Sequence, residues 1–219
     1  LKSPGIAPGD LTADQMDKVA DLAERFSLGE LRVSHRQNLV FPDVRQQDLH
    51  TLWQALGDLS LATPNIGQLT DIIACPGLDF CALANARAIP VAQDIGRHFS
   101  DAAVLQDIGE LTINISGCMN ACGHHHVGHI GILGVEKNGQ EFYQLTLGGS
   151  SGEDASLGDR LGRSISAAEV PPAIEAIVEC YKSLRLAGER FLDTYRRVGI
   201  EPFKEAVYGT RPERPRAVA

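Results

Sequence analysis

Four of the five cysteines fall into two tight pairs, Cys75 and Cys81 in CPGLDFC and Cys118 and Cys122 in SGCMNACG. Each pair follows a short apolar run that reads as a strand, on a loop expected to enter a helix. Loops at strand ends gather along one edge of a sheet, so two such loops can converge on a single centre. The cysteine count is too low for a secreted disulfide scaffold in a chain of 219 residues. A reducing compartment, the cytoplasm, with metal-bound or free thiols fits better. Thiolates select zinc, copper(I) or iron–sulfur clusters. The C-x5-C spacing is loose for a structural zinc knuckle. A cubane presents four iron corners spread farther apart and tolerates wide, unequal spacing. The spacing therefore leans towards iron–sulfur, with zinc and unrelated buried cysteines as the alternatives. Cys180 stands apart in AIVECYKSL and reads as a small core residue.

The rest of the composition narrows the class of protein. A hydrophobic fraction of 43% and a charged fraction of 22% are those of an ordinary globular protein. The formal net charge of -8 disfavours nucleic acid as a partner. No apolar run reaches membrane-spanning length. The chain opens on Leu1, and LKSPGIAPG reads as the interior of a longer polypeptide.

Residues 12–27 carry Met16, Val19, Leu22, Ala23 and Phe26 at helical spacing, with Thr12 as N-cap and Gln15 completing a capping box. Residues 30–33 and 37–41 read as strands around the polar turn 34–36. A second helix is expected over 46–56, apolar at Leu49, Leu52, Trp53 and Leu56. If the opening segment supplies a strand, residues 1–66 form a βαββα unit of ferredoxin-like α+β type. ATPNIG at 62–67 is the expected boundary, and 67–219 would be a second, mixed α/β domain. Strands are expected at 71–74, 111–115, 130–135 and 142–147. Lys137-Asn138-Gly139 is the hairpin turn between the last two. A helix is expected over 81–98, bent or split by Pro90. Residues 148–152 read as a flexible glycine loop. Helices are expected at 167–186, where Pro171 and Pro172 suit a first turn, and at 186–198. The tail 211–219 reads as loose.

Longer words around the cysteines carry a resemblance. NISGCMNACGHHHVGHIGILGV resembles the cluster loop of the sulfite and nitrite reductase hemoprotein family, and CPGLDFCALANARAIP resembles its first cysteine loop. GELRVSHRQNLVF is similar to the Arg-rich repeat of the family's ferredoxin-like half-domain. YQLTLGG and ERFLDTYRRVGIEPFKE continue the likeness in the family's order. The likeness is greatest to the carboxy-terminal half of bacterial sulfite reductase beta-type subunits. It implies a 4Fe-4S cluster held by Cys75, Cys81, Cys118 and Cys122, with Cys122 also bridging to the iron of siroheme and so acting in catalysis. It departs from the family at Met119, where SGCPN is common.

The resemblance also implies six-electron reduction of sulfite to sulfide. The alternatives are reduction of nitrite to ammonia and a cluster-only electron-transfer module. A flavoprotein subunit or a ferredoxin would donate electrons. An amino-terminal half of the same polypeptide would hold most of the substrate-gripping residues. Asn120 could cap its loop or bond a siroheme carboxylate. Arg36 and Asn38 are the expected cofactor-facing residues of the Arg-rich turn, since a guanidinium suits siroheme carboxylates and sulfite alike. Three consecutive histidines, His124 to His126, point in different directions from one backbone and do not form an obvious metal site.

Overall fold

A computed structural model describes residues 7–209. The expected opening strand and the tail 211–219 lie outside the described residues. Helix α1 spans Ala13–Phe26 with the predicted capping box. Its Thr12 side chain accepts from the Gln15 N–H, and the Gln15 carboxamide accepts from the Thr12 N–H. Strands β1 (Arg32–Val33) and β2 (Leu39–Val40) form a small antiparallel hairpin. A 3-10 turn over Gln46–Asp48 leads into α2, Leu49–Asp58. Val19, Leu52, Leu56 and Leu61 make a small separate core. Leu49 and Trp53, expected on the apolar face of α2, are instead exposed at 51% and 55%. Only the Leu52 and Leu56 side of the helix meets α1.

The larger unit is a five-stranded sheet of β3 (Ile73–Ala74), β4 (Ile113–Ser116), β5 (Ile130–Lys137), β6 (Gln140–Leu147) and β7 (Asp159–Arg160), in that spatial order. β3, β4 and β5 are parallel; β5 to β7 are antiparallel. Asn138 and Gly139, both left-handed, make the predicted tight turn. Ile113, Ile115, Ile130, Ile132, Leu145 and Leu147 point into the main core. There they meet α3 (Ile89–His98), α5 (Val170–Leu184), α6 (Phe191–Val198) and α7 (Glu201–Tyr208).

Several sequence expectations need correction. The helix predicted from residue 81 begins only at Ile89, and Pro90 occupies its first turn instead of bending a longer helix. Residues 81–88 cannot be helical, because the Asn85 and Ala86 N–H groups are drawn to the carbonyl of Gly117. The helix expected from 186 begins at Phe191, after a break at Gly188 with φ of 77°. The glycine loop at 148–152, expected to be flexible, is anchored at its start. Ser150 and Ser156 exchange two backbone bonds, and Gly148 leaves no room for a Cβ beside the Tyr195 ring. Two short helices have too few turns to show a period in sequence: α4 (Ala102–Ile108), capped by Asp101, and α7. Among the described residues no helix is long and apolar enough to cross a membrane.

Candidate metal centre

Because β3 and β4 are parallel neighbours, both end at the same sheet edge, and both cysteine loops start there. The sequence predicted that each loop enters an α-helix; neither does so directly. Each passes through a single 3-10 turn, Gly77–Asp79 in the first loop and His125–Val127 in the second.

Cys75 extends the ladder by one residue, its N–H donating to the Ile115 carbonyl at 3.1 Å. The next residue of the neighbouring loop, Gly117, donates its N–H to the Cys75 Sγ at 3.0 Å. The Gly117 carbonyl accepts from Asn85 N–H at 2.8 Å and Ala86 N–H at 3.0 Å. The two loops thus bind each other through backbone. Glycine is required where they cross: a Cβ on Gly117 would sit 2.6 Å from the Ala86 carbonyl oxygen and 2.9 Å from the Gly77 Cα. Gly77 itself has φ of 61° and leaves no room for a Cβ beside Ala88 N.

The first loop is also held from outside. The two outward-facing backbone groups of Ala74 bond the side-chain amide of Gln37. At the far end, Arg87 donates to Glu141 through both its backbone N–H and its guanidinium, each at 2.7 Å, and pairs with Asp79 at 3.3 Å. The Tyr143 hydroxyl donates to the Arg87 carbonyl at 2.8 Å.

The second loop folds back over its own strand. Ile113 and Ile115 face the core, so alternation sends Asn114 and Ser116 to the opposite face, under the loop. Ser116 Oγ accepts from Gly123 N–H at 3.1 Å, and the Asn114 amide donates to the carbonyls of Gly123 and His124. Gly123 lies so close to the Ile115 carbonyl that a Cβ would overlap it. Ala121 and His124 adopt left-handed φ values of 56° and 53° to make the turn around Cys122.

The result is a graded set of four thiols. Cys75 and Cys118 are buried, Cys81 is half-buried and Cys122 is exposed. Leu78, Phe80, Leu83 and Met119 stand exposed on the same loops, so the surface around the cysteines is apolar. Among the described residues no group of three or more His, Cys, Asp or Glu is arranged to hold a single ion. Four soft donors from two interlocked loops fit a group with several metal corners, and a backbone N–H already directed at Cys75 Sγ suits a thiolate in such a group. Cys180 lies apart in α5, half-buried against the core, where burial raises its thiol pKa.

The other predicted residues are placed as follows. Asn120 is exposed between Cys118 and Cys122. Asn38 is buried, and its amide donates to the Arg36 carbonyl and to Asp71. Arg36 lines a cleft of about 410 Å³ with Glu110, Thr112, His129 and Arg190. Thr112 and His129 precede β4 and β5, so this cleft lies at the opposite end of the strands from the cysteines. Arg36 thus lies away from the four thiols, whereas Asn38 lines a groove with Ala74, Pro76 and Phe80 beside the first cysteine loop.

The histidines diverge, as their run implied. His124 and His126 are exposed, whereas His125 is 2% exposed and burial pushes its pKa down to about 4. The buried His125 Nδ1 has no hydrogen-bond partner. His129 accepts from the Thr112 N–H through Nδ1 at 3.2 Å, and burial lowers its pKa.

Sequence reasoning missed Gln37, Asn114, Ser116, Arg87 and Glu141 as supports of the loops. A signal existed only for Asn114 and Ser116, in the apolar–polar alternation of TINIS.

Two family models match the chain. The family model of the nitrite and sulphite reductase 4Fe-4S domain matches residues 67–215, and that of the nitrite/sulfite reductase ferredoxin-like half domain matches residues 3–59. An assimilatory ferredoxin-dependent nitrite reductase of Haloferax mediterranei is 32% identical over 199 residues, 85% of this chain and 33% of that protein. A protein named sulfite reductase [ferredoxin] 2, from Mycolicibacterium paratuberculosis, is 30% identical over 203 residues, 87% of this chain and 36% of that protein. The solved structure of the Mycobacterium tuberculosis NirA protein superposes with a TM-score of 0.76 at 27% identity, covering 91% of this chain and 38% of that one. The chain thus spans about a third of the length of the curated relatives it matches.

Proposed function

The chain belongs to the nitrite and sulphite reductase family, and from that premise we propose that it forms the cluster-bearing part of a cytoplasmic sulfite reductase that converts sulfite to sulfide. The observation that supports this most is the backbone interlock at Gly117, which gathers two cysteine loops at one sheet edge. Cys75, Cys81, Cys118 and Cys122 would hold the 4Fe-4S cluster, and Cys122 would be shared with siroheme iron. When bound, these groups supply single-electron transfer and the metal site at which sulfite is reduced.

The protein's own residues fix and tune that centre. Gly117 N–H favours negative charge on the Cys75 sulfur. Burial of Cys75 and Cys118 keeps water from the inner side, while exposed Cys122 faces the side where a second cofactor can approach. Asn120, exposed beside it, would donate to a cofactor carboxylate. Arg36 would bind a peripheral carboxylate and not the metal, because its cleft is at the far end of the strands. Asn38 would act by holding the Arg36 turn. The domains would divide at 1–66 and 67–219, and the remainder of the polypeptide, an amino-terminal half, would supply the substrate-gripping cations.

Reduction of nitrite to ammonia is the second reading, favoured by the name of the Haloferax relative. The names of both relatives support ferredoxin as electron donor over a flavoprotein subunit. Anaerobic purification with iron, acid-labile sulfide and porphyrin quantified together tests the assignment. About five irons (four of the cluster and one of siroheme) and four sulfides with one porphyrin are expected per protein. A cluster without porphyrin bands would leave an electron-transfer module. Zinc without sulfide would leave a structural site. A Cys122→Ser protein that keeps cluster and porphyrin magnetically coupled would remove the bridging role. The ratio of kcat/KM for sulfite to that for nitrite separates the two substrates.

A further inference from the structure

β3 is an edge strand of the sheet, and on its inner side the N–H of the next residue, Cys75, bonds Ile115 on β4. Alternation turns the backbone groups of the preceding residue, Ala74, outward. There the side chain of Gln37 acts as a one-residue strand. Its Oε1 accepts the Ala74 N–H at 3.0 Å, and its Nε2 donates to the Ala74 carbonyl at 2.7 Å. A primary amide carries the donor and acceptor of a peptide group, so it completes both bonds at once.

The hairpin that presents Gln37 is built to hold it. Gln37 has a left-handed φ of 56°, which a side-chain-bearing residue adopts at a cost. The turn fixes that conformation. Gln37 N–H donates to the Ser34 carbonyl, and Ser34 Oγ accepts from the Arg36 and Asn38 N–H groups. Asn38 then ties the same turn to Asp71, just before β3. The bonds of the β1–β2 turn thus run to the strand that ends at Cys75.

From this we infer that Gln37 is a positioning residue for Cys75: its two-point amide clasp on Ala74 fixes the backbone from which the first cluster ligand projects, and so links the amino-terminal unit to the cluster. The inference rests on Cys75 being a cluster ligand. Length matters as much as chemistry. Asparagine carries the same amide on a side chain one methylene shorter and cannot span the gap from this turn. Glutamate keeps the acceptor, loses the donor and sets a carboxylate against the Ala74 carbonyl.

The test uses the purified holoprotein. Hydrogen exchange of a peptide containing Ala74 reads the clasp, and the rate of iron release to a chelator, with the spectrum of the reduced cluster, reads its consequence. Gln37→Ala and Gln37→Asn are each expected to speed exchange and iron release by roughly tenfold and to alter the spectrum. Gln37→Glu is expected to fall between them and the parent. Gln37→Gly suits the left-handed φ and removes the clasp without strain, so it serves if Gln37→Ala folds poorly. Unchanged exchange in these variants would overturn the clasp. Faster exchange with unchanged iron release and spectrum would make Gln37 merely structural and overturn the positioning role. A separate Cys75→Ala protein is expected to lose the intact cluster. If it retains full iron and sulfide, the ligand assignment itself fails, and the inference with it.

Discussion

The two cysteine loops leave adjacent strands at one sheet edge, yet they are supported by different means. The second loop is held by its own strand: Asn114 and Ser116 bond Gly123 and His124, within ten residues along the chain. The first loop is held by distant groups, Gln37 at its base and Glu141 and Tyr143 at its far end. In both, the cysteine at the strand end is buried and the later one is more exposed. The side-chain supports of the second loop are thus near in sequence, whereas those of the first depend on other parts of the protein, which offers a point through which those parts can act on the centre.

The crossing at Gly117 joins the two loops, and breaking it is expected to disturb both. Gly117→Ala puts a methyl group against two backbone segments that cannot rotate away, and should cost about 3 kcal/mol. Chemical denaturation followed by circular dichroism measures that cost. Hydrogen exchange should rise in the peptides of both loops, and a response in one alone would mean that they are not interlocked.

Acid is expected to act on the second loop through His125. The unfolded chain takes up a proton near pH 6.5, but the buried imidazole does not until about pH 4. Stability from this residue is therefore complete above pH 6.5 and is lost as pH falls from there to about 4, by on the order of 2 to 3 kcal/mol. Stability measured at pH 7 and pH 4.5 should differ less in His125→Gln than in the parent protein.

Smaller changes separate the loops. Asn114→Ala or Ser116→Ala removes a buried partner of the second loop and should cost about 1 to 2 kcal/mol, with faster exchange there and little change in the first. Arg87→Gln should do the reverse and less, about 0.5 kcal/mol, because its guanidinium is largely exposed to solvent. Equal responses of both loops to Ser116→Ala and Arg87→Gln would abolish the distinction between near and distant support.

The same distinction explains what could be read in advance. The capping box at Thr12 and Gln15, the Asn138-Gly139 turn and the proline-led start of α5 depend on neighbours in sequence, and the structure has them where expected. The helix predicted from residue 81 failed because its amides go to Gly117, more than thirty residues away. Leu49 and Trp53 fit the helical period of α2, but α1 covers only one side of that helix. Arg36 is basic and close in sequence to Gln37, and basicity made it the natural candidate. Neutral Gln37 reaches the strand of Cys75, whereas Arg36 faces the cleft at the other end of the sheet.

By itself the sequence determined the local units and the donor set: two pairs of thiols, each just past an apolar strand, in words that resemble one reductase family. Periodicity, caps, turn residues and ligand chemistry act over a few residues, and they are written in order along the chain. The tertiary structure alone decided that β3 and β4 lie parallel and adjacent, that the loops cross glycine to glycine, and that Gln37 and Glu141 brace the first of them. Those contacts depend on which strands pair and which faces close, and these are set by burial of the whole core and not by any short stretch of sequence.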